Sequence, residues 1–92
     1  MLDDDVPGAV SFVERVQEEL AFAREKYPPF NSFHEAYAVI LEEVREFEAE
    51  VFRKPEDRDA KRIVEELAQI AAMCQRAAES GLLDVGVSND RR

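Results

Sequence analysis

The chain has no tryptophan, one histidine, one cysteine and three glycines among its 92 residues. A lone Cys74 excludes an internal disulfide, and its apolar neighbours make it a small core residue rather than a nucleophile, which needs a base beside it. Gly8, Gly81 and Gly86 stand apart, so no glycine-rich loop is present to cradle a phosphate. No apolar run approaches the roughly 18 residues of a membrane span. The opening Met1-Leu2-Asp3-Asp4-Asp5 is acidic where a secretory signal is basic. Cytoplasm is therefore the expected location, with no membrane partner. Basic residues are also scarce, 12 Lys and Arg against 21 Asp and Glu, which leaves a net charge of -9. Nucleic-acid binding, whose usual footprint is a basic patch, is not expected. Such a surface suits cations better.

What is present reads as one small helical domain. A content of 46% hydrophobic and 36% charged residues separates the chain from disordered sequences. Nothing alternates with the period of a half-buried strand, whereas three segments repeat at helical spacing. The first, from about Pro7 to Tyr27, carries Ala9, Val13, Val16, Leu20, Ala23 and Tyr27 on one stripe. Pro28-Pro29 ends it, because proline lacks the amide donor and restricts the residue before it. The second begins at Ser32, with Glu35 placed to complete a capping box, and extends to Arg53. Phe33, Tyr37, Ile40, Val44, Phe47 and Val51 form its apolar face, and Pro55 stops it.

The short connection Lys54-Pro55-Glu56-Asp57 leads to a third helix that ends near Gly81. Its apolar positions are Ala60, Ile63, Leu67, Ile70, Cys74 and Ala77 or Ala78. So short a link implies an antiparallel helical hairpin. The expected fold is all-α: a three-helix chain over residues 7–83 with this hairpin at its centre and a frayed tail over 84–92. A core this small favours completing a four-helix-bundle-type arrangement with further copies of the chain.

The residues that call for an explanation are acids. Leu41-Glu42-Glu43-Val44-Arg45-Glu46 sets a Glu-Glu-x-x-Glu run inside an apolar helix, and Glu65-Glu66 follows on the next helix. Taking about 100° per residue, the apolar face of the second helix centres about 90° from Glu43, and Glu46 and Glu50 lie on the Glu43 side. Glu42 lies about 170° from that centre and points away. Glu66 occupies the same kind of margin on the third helix. Because antiparallel helices face each other in opposite senses, equal offsets fall on one side of their interface, so Glu43 and Glu66 flank one groove. Both are also equally distant from the Lys54-Pro55 turn. Glu46 and Gln69 extend the pattern to four side chains at i and i+3 positions of two helices. Oxygen donors in this arrangement suit magnesium, which binds through carboxylates together with substrate phosphates. Solvated margin acids, with Glu66 paired to Arg62 at i, i+4, are the other reading of the same residues.

The run Leu41–Glu46 followed by Glu65-Glu66-Leu67-Ala68-Gln69 resembles the signature of the all-alpha nucleoside triphosphate pyrophosphohydrolases, the MazG-like superfamily, over roughly residues 10 to 80. The resemblance implies a magnesium-dependent enzyme that hydrolyses a nucleoside triphosphate to the monophosphate and pyrophosphate, working as a homodimer or homotetramer. It also implies roles for the matching residues. Glu43, Glu46 and Glu66 become metal ligands, and Glu42 or Glu46 the base that activates water. Arg62, on the Glu66 side, becomes the candidate phosphate contact beside its plainer role as a salt-bridge partner. Gln69 stands where the family has aspartate. Its amide oxygen can still coordinate a hard cation, but it brings no charge and cannot act as a base. That departure keeps two other functions in view, a catalytically impaired nucleotide- or metal-binding module and a purely structural helical oligomerisation domain. Phe30, Phe33 and Tyr37 are read as core residues before base-stacking ones. His34, Lys54, Arg58 and Lys61 are read as surface.

Overall fold

The computed structural model describes residues 7–82, and all of the regular structure among them is helical. Helix α1 spans Pro7–Lys26, α2 Phe33–Val51 and α3 Ala60–Glu79, with a single 3-10 turn at Pro55–Asp57 between the last two. No described helix is long and apolar enough to cross a membrane. The acidic start and the expected tail over 84–92 lie outside the described residues.

Local chemistry sets the helix ends. Ser32 is extended, and its hydroxyl accepts the Glu35 N–H at 3.0 Å, while Glu35 reaches back to take the Asn31 N–H at 2.7 Å. The expected capping box thus closes one residue earlier than usual, on Asn31 instead of Ser32. Asp59 caps α3 by accepting the N–H groups of Lys61 and Arg62. Each cap is worth about 1 kcal/mol. Past Ser80 the chain turns through Gly81 at φ +73°, a left-handed conformation that glycine adopts without a steric cost.

Helix α3 organises the molecule, because both other helices pack on it. Arg15 pairs with Glu65 at 2.9 Å and Arg24 with Glu79 at 2.6 Å, so α1 runs parallel to α3. Ala68 and Ala72 of α3 are completely buried, and their small side chains allow α1 to approach closely. Helix α2 runs antiparallel to α3, as the hairpin reading requires. Glu50 near its end accepts the Asp59 N–H at 3.0 Å, and Phe30 just before its start donates to the Ser80 hydroxyl at 3.0 Å.

The core is thin. Leu20, Ala23, Phe30, Ala36, Ala72 and Met73 form it, flanked by half-buried Val16, Val39 and Ile40. Burying a side chain such as Leu20 stabilises by about 1.5–3 kcal/mol, and only a few residues of that size contribute.

Two sequence expectations require correction. Cys74 is exposed, not a core residue. Phe33 and Tyr37, also read as core, are 50% and 66% exposed, whereas Phe30 is buried. One physical cause underlies both corrections. Helix α1 covers the small-residue side of α3, and α2 meets α3 along Glu66, Met73 and their neighbours. The side bearing Leu67 and Cys74, together with the matching side of α2 bearing Phe33, Tyr37 and Val44, is left facing outward.

Candidate metal centre

Glu43 and Glu46 lie one turn apart on α2, and Glu66 projects toward them from α3. One carboxylate oxygen from each lies within 4.8 Å of the other two. At about 5 Å and an effective dielectric near 20, each like-charged pair repels by roughly 3 kcal/mol. Burial adds to that cost. Oε1 of Glu43 and Oε1 of Glu66 are both buried without a hydrogen-bond partner, and Glu66 as a residue is only 7% exposed. Buried acceptors left unpaired are rare in folded proteins.

Electrostatics reflects the same arrangement. Desolvation, followed by repulsion from Glu46 and Glu66, pushes the Glu43 carboxyl up from 4.5 to about 7. The Glu66 carboxyl is raised as well, by desolvation and then by Glu46, with Arg62 opposing. Arg62 is itself largely exposed and its nearest approach to Glu66 is 3.9 Å, too long to satisfy the buried carboxylate. The chemistry of the donor set fits a hard divalent cation. Three carboxylates supply oxygen ligands, no His or Cys joins them, and a positive charge at their centre would relieve both the repulsion and the unpaired acceptors. Neighbouring Glu50 is buried too, but it is committed to the Asp59 amide and closes the hairpin.

The centre opens on a cavity of about 520 Å³ that lies between α1 and α2 and is floored by α3. At one end stand Glu42, Glu43, Glu46 and Gln69, together with Glu19 from α1. At the other stand Phe22, Tyr27, Phe30 and Arg76. Glu42 therefore lines the cavity, contrary to the expectation that it points away. The wheel was referred to the apolar stripe, whereas the cavity is defined by α1, which lies on the opposite side. Gln69 lies at the acidic end, and Arg62 does not line the cavity. A smaller cavity of about 260 Å³ beyond Tyr27 is bordered by the Arg24–Glu79 pair and holds no group of carboxylates.

Two groups escaped the sequence reading. Glu19, whose charge also raises Glu43, belongs to the site only because α1 packs alongside, and no pattern within α1 marks it. Arg76 was detectable, since it lies on the same side of α3 as Gln69, two turns further on. It is buried at 6% exposure, donates to the Pro28 carbonyl at 2.9 Å and stacks on Phe30 with its guanidinium carbon 4.2 Å from the ring centroid.

Compared with protein-family models, curated proteins and solved structures, the chain matches none. The functional reading accordingly rests on the site's own chemistry and on the motif resemblance.

Proposed function

We propose that the chain is a magnesium-dependent nucleotide pyrophosphohydrolase of the MazG-like kind, converting a nucleoside triphosphate and water into the monophosphate and pyrophosphate. The observation that carries this reading is the convergence of Glu43, Glu46 and Glu66 beside a cavity, with two of their oxygens buried and unpaired. Those three side chains would hold the cation, and the Gln69 amide oxygen would be a fourth, uncharged ligand. Bound magnesium would supply the positive charge that lets the phosphates approach so acidic a wall. Glu42, which lines the cavity, or Glu46 would accept the proton of the attacking water. Its oxygen bonds to phosphorus as the bridge between the α- and β-phosphates breaks. Arg62 is assigned to its loose pair with Glu66 rather than to a phosphate. The proposed location is the cytoplasm, where nucleoside triphosphates are available.

The proposal extends to a homodimer. Phe33, Tyr37 and Val44 of α2 and Val64 and Leu67 of α3 are all more than a third exposed, and equal offsets on antiparallel helices put the α2 set and Leu67 on one outer face. A second hairpin docked there would bury this surface and complete four helices around a shared core.

The test is release of pyrophosphate from a panel of nucleoside triphosphates with magnesium, and its loss when the metal is chelated. No release from any nucleotide, with calorimetry showing that nucleotides still bind, would replace the enzyme with a binding module. Gln69, which leaves the site one carboxylate short, is what favours that second reading. Absence of both binding and release would leave a helical oligomerisation domain.

A further inference from the structure

The end of the cavity remote from Glu43, Glu46 and Glu66 contains a buried charge with no close counter-charge: Glu79, one turn on, acts on Arg76 only at longer range, and Glu35 in the same wall takes the Asn31 N–H. Arg76 is nine-tenths buried, yet no carboxylate of the described residues forms an ion pair with it. Its partners are the Pro28 carbonyl at 2.9 Å and the Met73 sulfur at 3.4 Å, a weak acceptor. A guanidinium has five N–H donors and stays protonated, so burying it is costly unless acceptors surround it. Phe30 covers one face of it, and the group still lines the open cavity. Beside it, Phe22 and Tyr27 offer rings that are 55% and 50% exposed and lie in the cavity wall. The Lys26 ammonium lies 5.3 Å and 5.9 Å from their centroids, keeping the rings beside positive charge.

We propose that this end is a nucleobase subsite in which Arg76 donates to a ring carbonyl, so that the site selects bases bearing a carbonyl over those bearing an amino group at the same position. The inference rests on the pyrophosphohydrolase reading and deepens it. Distance assigns the base, not the phosphates, to Arg76. From Glu66 to Arg76 the α3 backbone rises ten residues, about 15 Å along its axis. A triphosphate held at the carboxylates is too short to cover that span, so the sugar and base are what extend to Arg76. Planar rings stack on aromatic walls whatever their identity, which makes Phe22 and Tyr27 tolerant of sequence and leaves discrimination to the polar group. Arg76 can only donate. A carbonyl oxygen accepts from it, and bidentate contact to an O6 and N7 pair is the usual arginine geometry. An exocyclic amine in the same place sets donor against donor.

Inosine and adenosine share sugar and purine frame and differ at position 6, carbonyl against amine, so they isolate this contact. Calorimetric titration of the full chain with magnesium and the α,β-methylene analogues of the two triphosphates, which resist cleavage at the bond in question, reads it directly. The inosine analogue is expected to bind about tenfold or more tightly. In Arg76→Gln, whose amide can accept from an amine as readily as it donates to a carbonyl, that ratio is expected to fall toward one. Equal affinities in the unaltered protein, or a ratio that survives in a folded Arg76→Gln, would overturn the subsite while leaving the pyrophosphohydrolase intact. Binding of neither analogue would overturn the subsite, and it would overturn the pyrophosphohydrolase with it only if no triphosphate of the panel releases pyrophosphate. If the variant fails to fold, the ratio in the unaltered protein decides alone.

Discussion

The two sides of α3 invert the usual distribution of polarity. On its inner side it presents Gln69 and Arg76 to the cavity and Glu66 to the carboxylates of α2, and the two charged residues are almost fully buried; on its outer side, Val64 and Leu67 are 39% and 37% exposed and Cys74 is also exposed. Charged groups on the inside cost stability, and apolar groups on the outside forgo it. Neither choice benefits an isolated chain. Under the proposed function this contrast has one explanation, an inner side arranged for a ligand and an outer side for a second copy, each completing something the single chain leaves open.

The sharpest way to test the inner side is Glu66→Gln, which keeps the shape and removes the charge. Pyrophosphate release is expected to fall by at least about 100-fold, since even residues that only support metal ligands commonly cost 10–100-fold. The metal-free thermal midpoint should stay level or rise, because a buried unpaired charge has gone. A parallel fall in both readouts would make Glu66 structural and break the comparison on that side.

On the outer side, Leu67→Glu is expected to weaken self-association by at least about tenfold in sedimentation equilibrium, since a two-fold interface carries the change twice. Unchanged association would show that the apolar face is not where copies meet.

A smaller effect is expected in the pH dependence. The Glu43 carboxyl lies at about 7 in the folded chain against 4.5 as its ordinary value, so between those limits the native state binds more protons than the unfolded one. Its stabilising contribution is complete below pH 4.5 and is lost as the pH rises through about 7. Without metal, denaturant midpoints should therefore decline across that window more steeply in the unaltered protein than in Glu43→Gln. Added magnesium should flatten the difference, because a bound cation favours the ionised carboxylates. Glu79 does not interfere, since Arg24 holds its carboxyl down at about 2 and its contribution is lost only in stronger acid. An identical slope in the two proteins would remove the electrostatic account of the centre.

The least effect belongs to Arg62→Ala. The side chain is 64% exposed and 3.9 Å from Glu66, so stability should shift by no more than about 0.5 kcal/mol and pyrophosphate release by no more than about twofold. A hundredfold loss of release would restore Arg62 as a phosphate contact.

The helices were legible because their signals are local. Pro28-Pro29, Ser32 with Glu35, Pro55 and Gly81 each act within a turn of where they stand, and apolar spacing needs no partner to be seen. Glu43, Glu46 and Glu66 were legible for a related reason, since two helices joined by a short turn have a calculable register. Glu19 and the far end of the cavity were not, because both depend on where α1 settles. Cys74 shows the same limit from the other direction. Its place on an apolar stripe is real, but a stripe indicates which face prefers burial and not what covers it.

By itself, then, the sequence determined three helices, their ends and an antiparallel hairpin that pairs Glu43 with Glu66. The tertiary structure decided which faces look inward. Helix α1 lies parallel on the small-residue side of α3, where Ala68 and Ala72 permit close packing, and that placement leaves a cavity over Gln69 and Arg76 and an apolar face turned outward. Packing of that kind depends on contacts between residues some fifty positions apart, such as Arg15 with Glu65, and no local pattern encodes it.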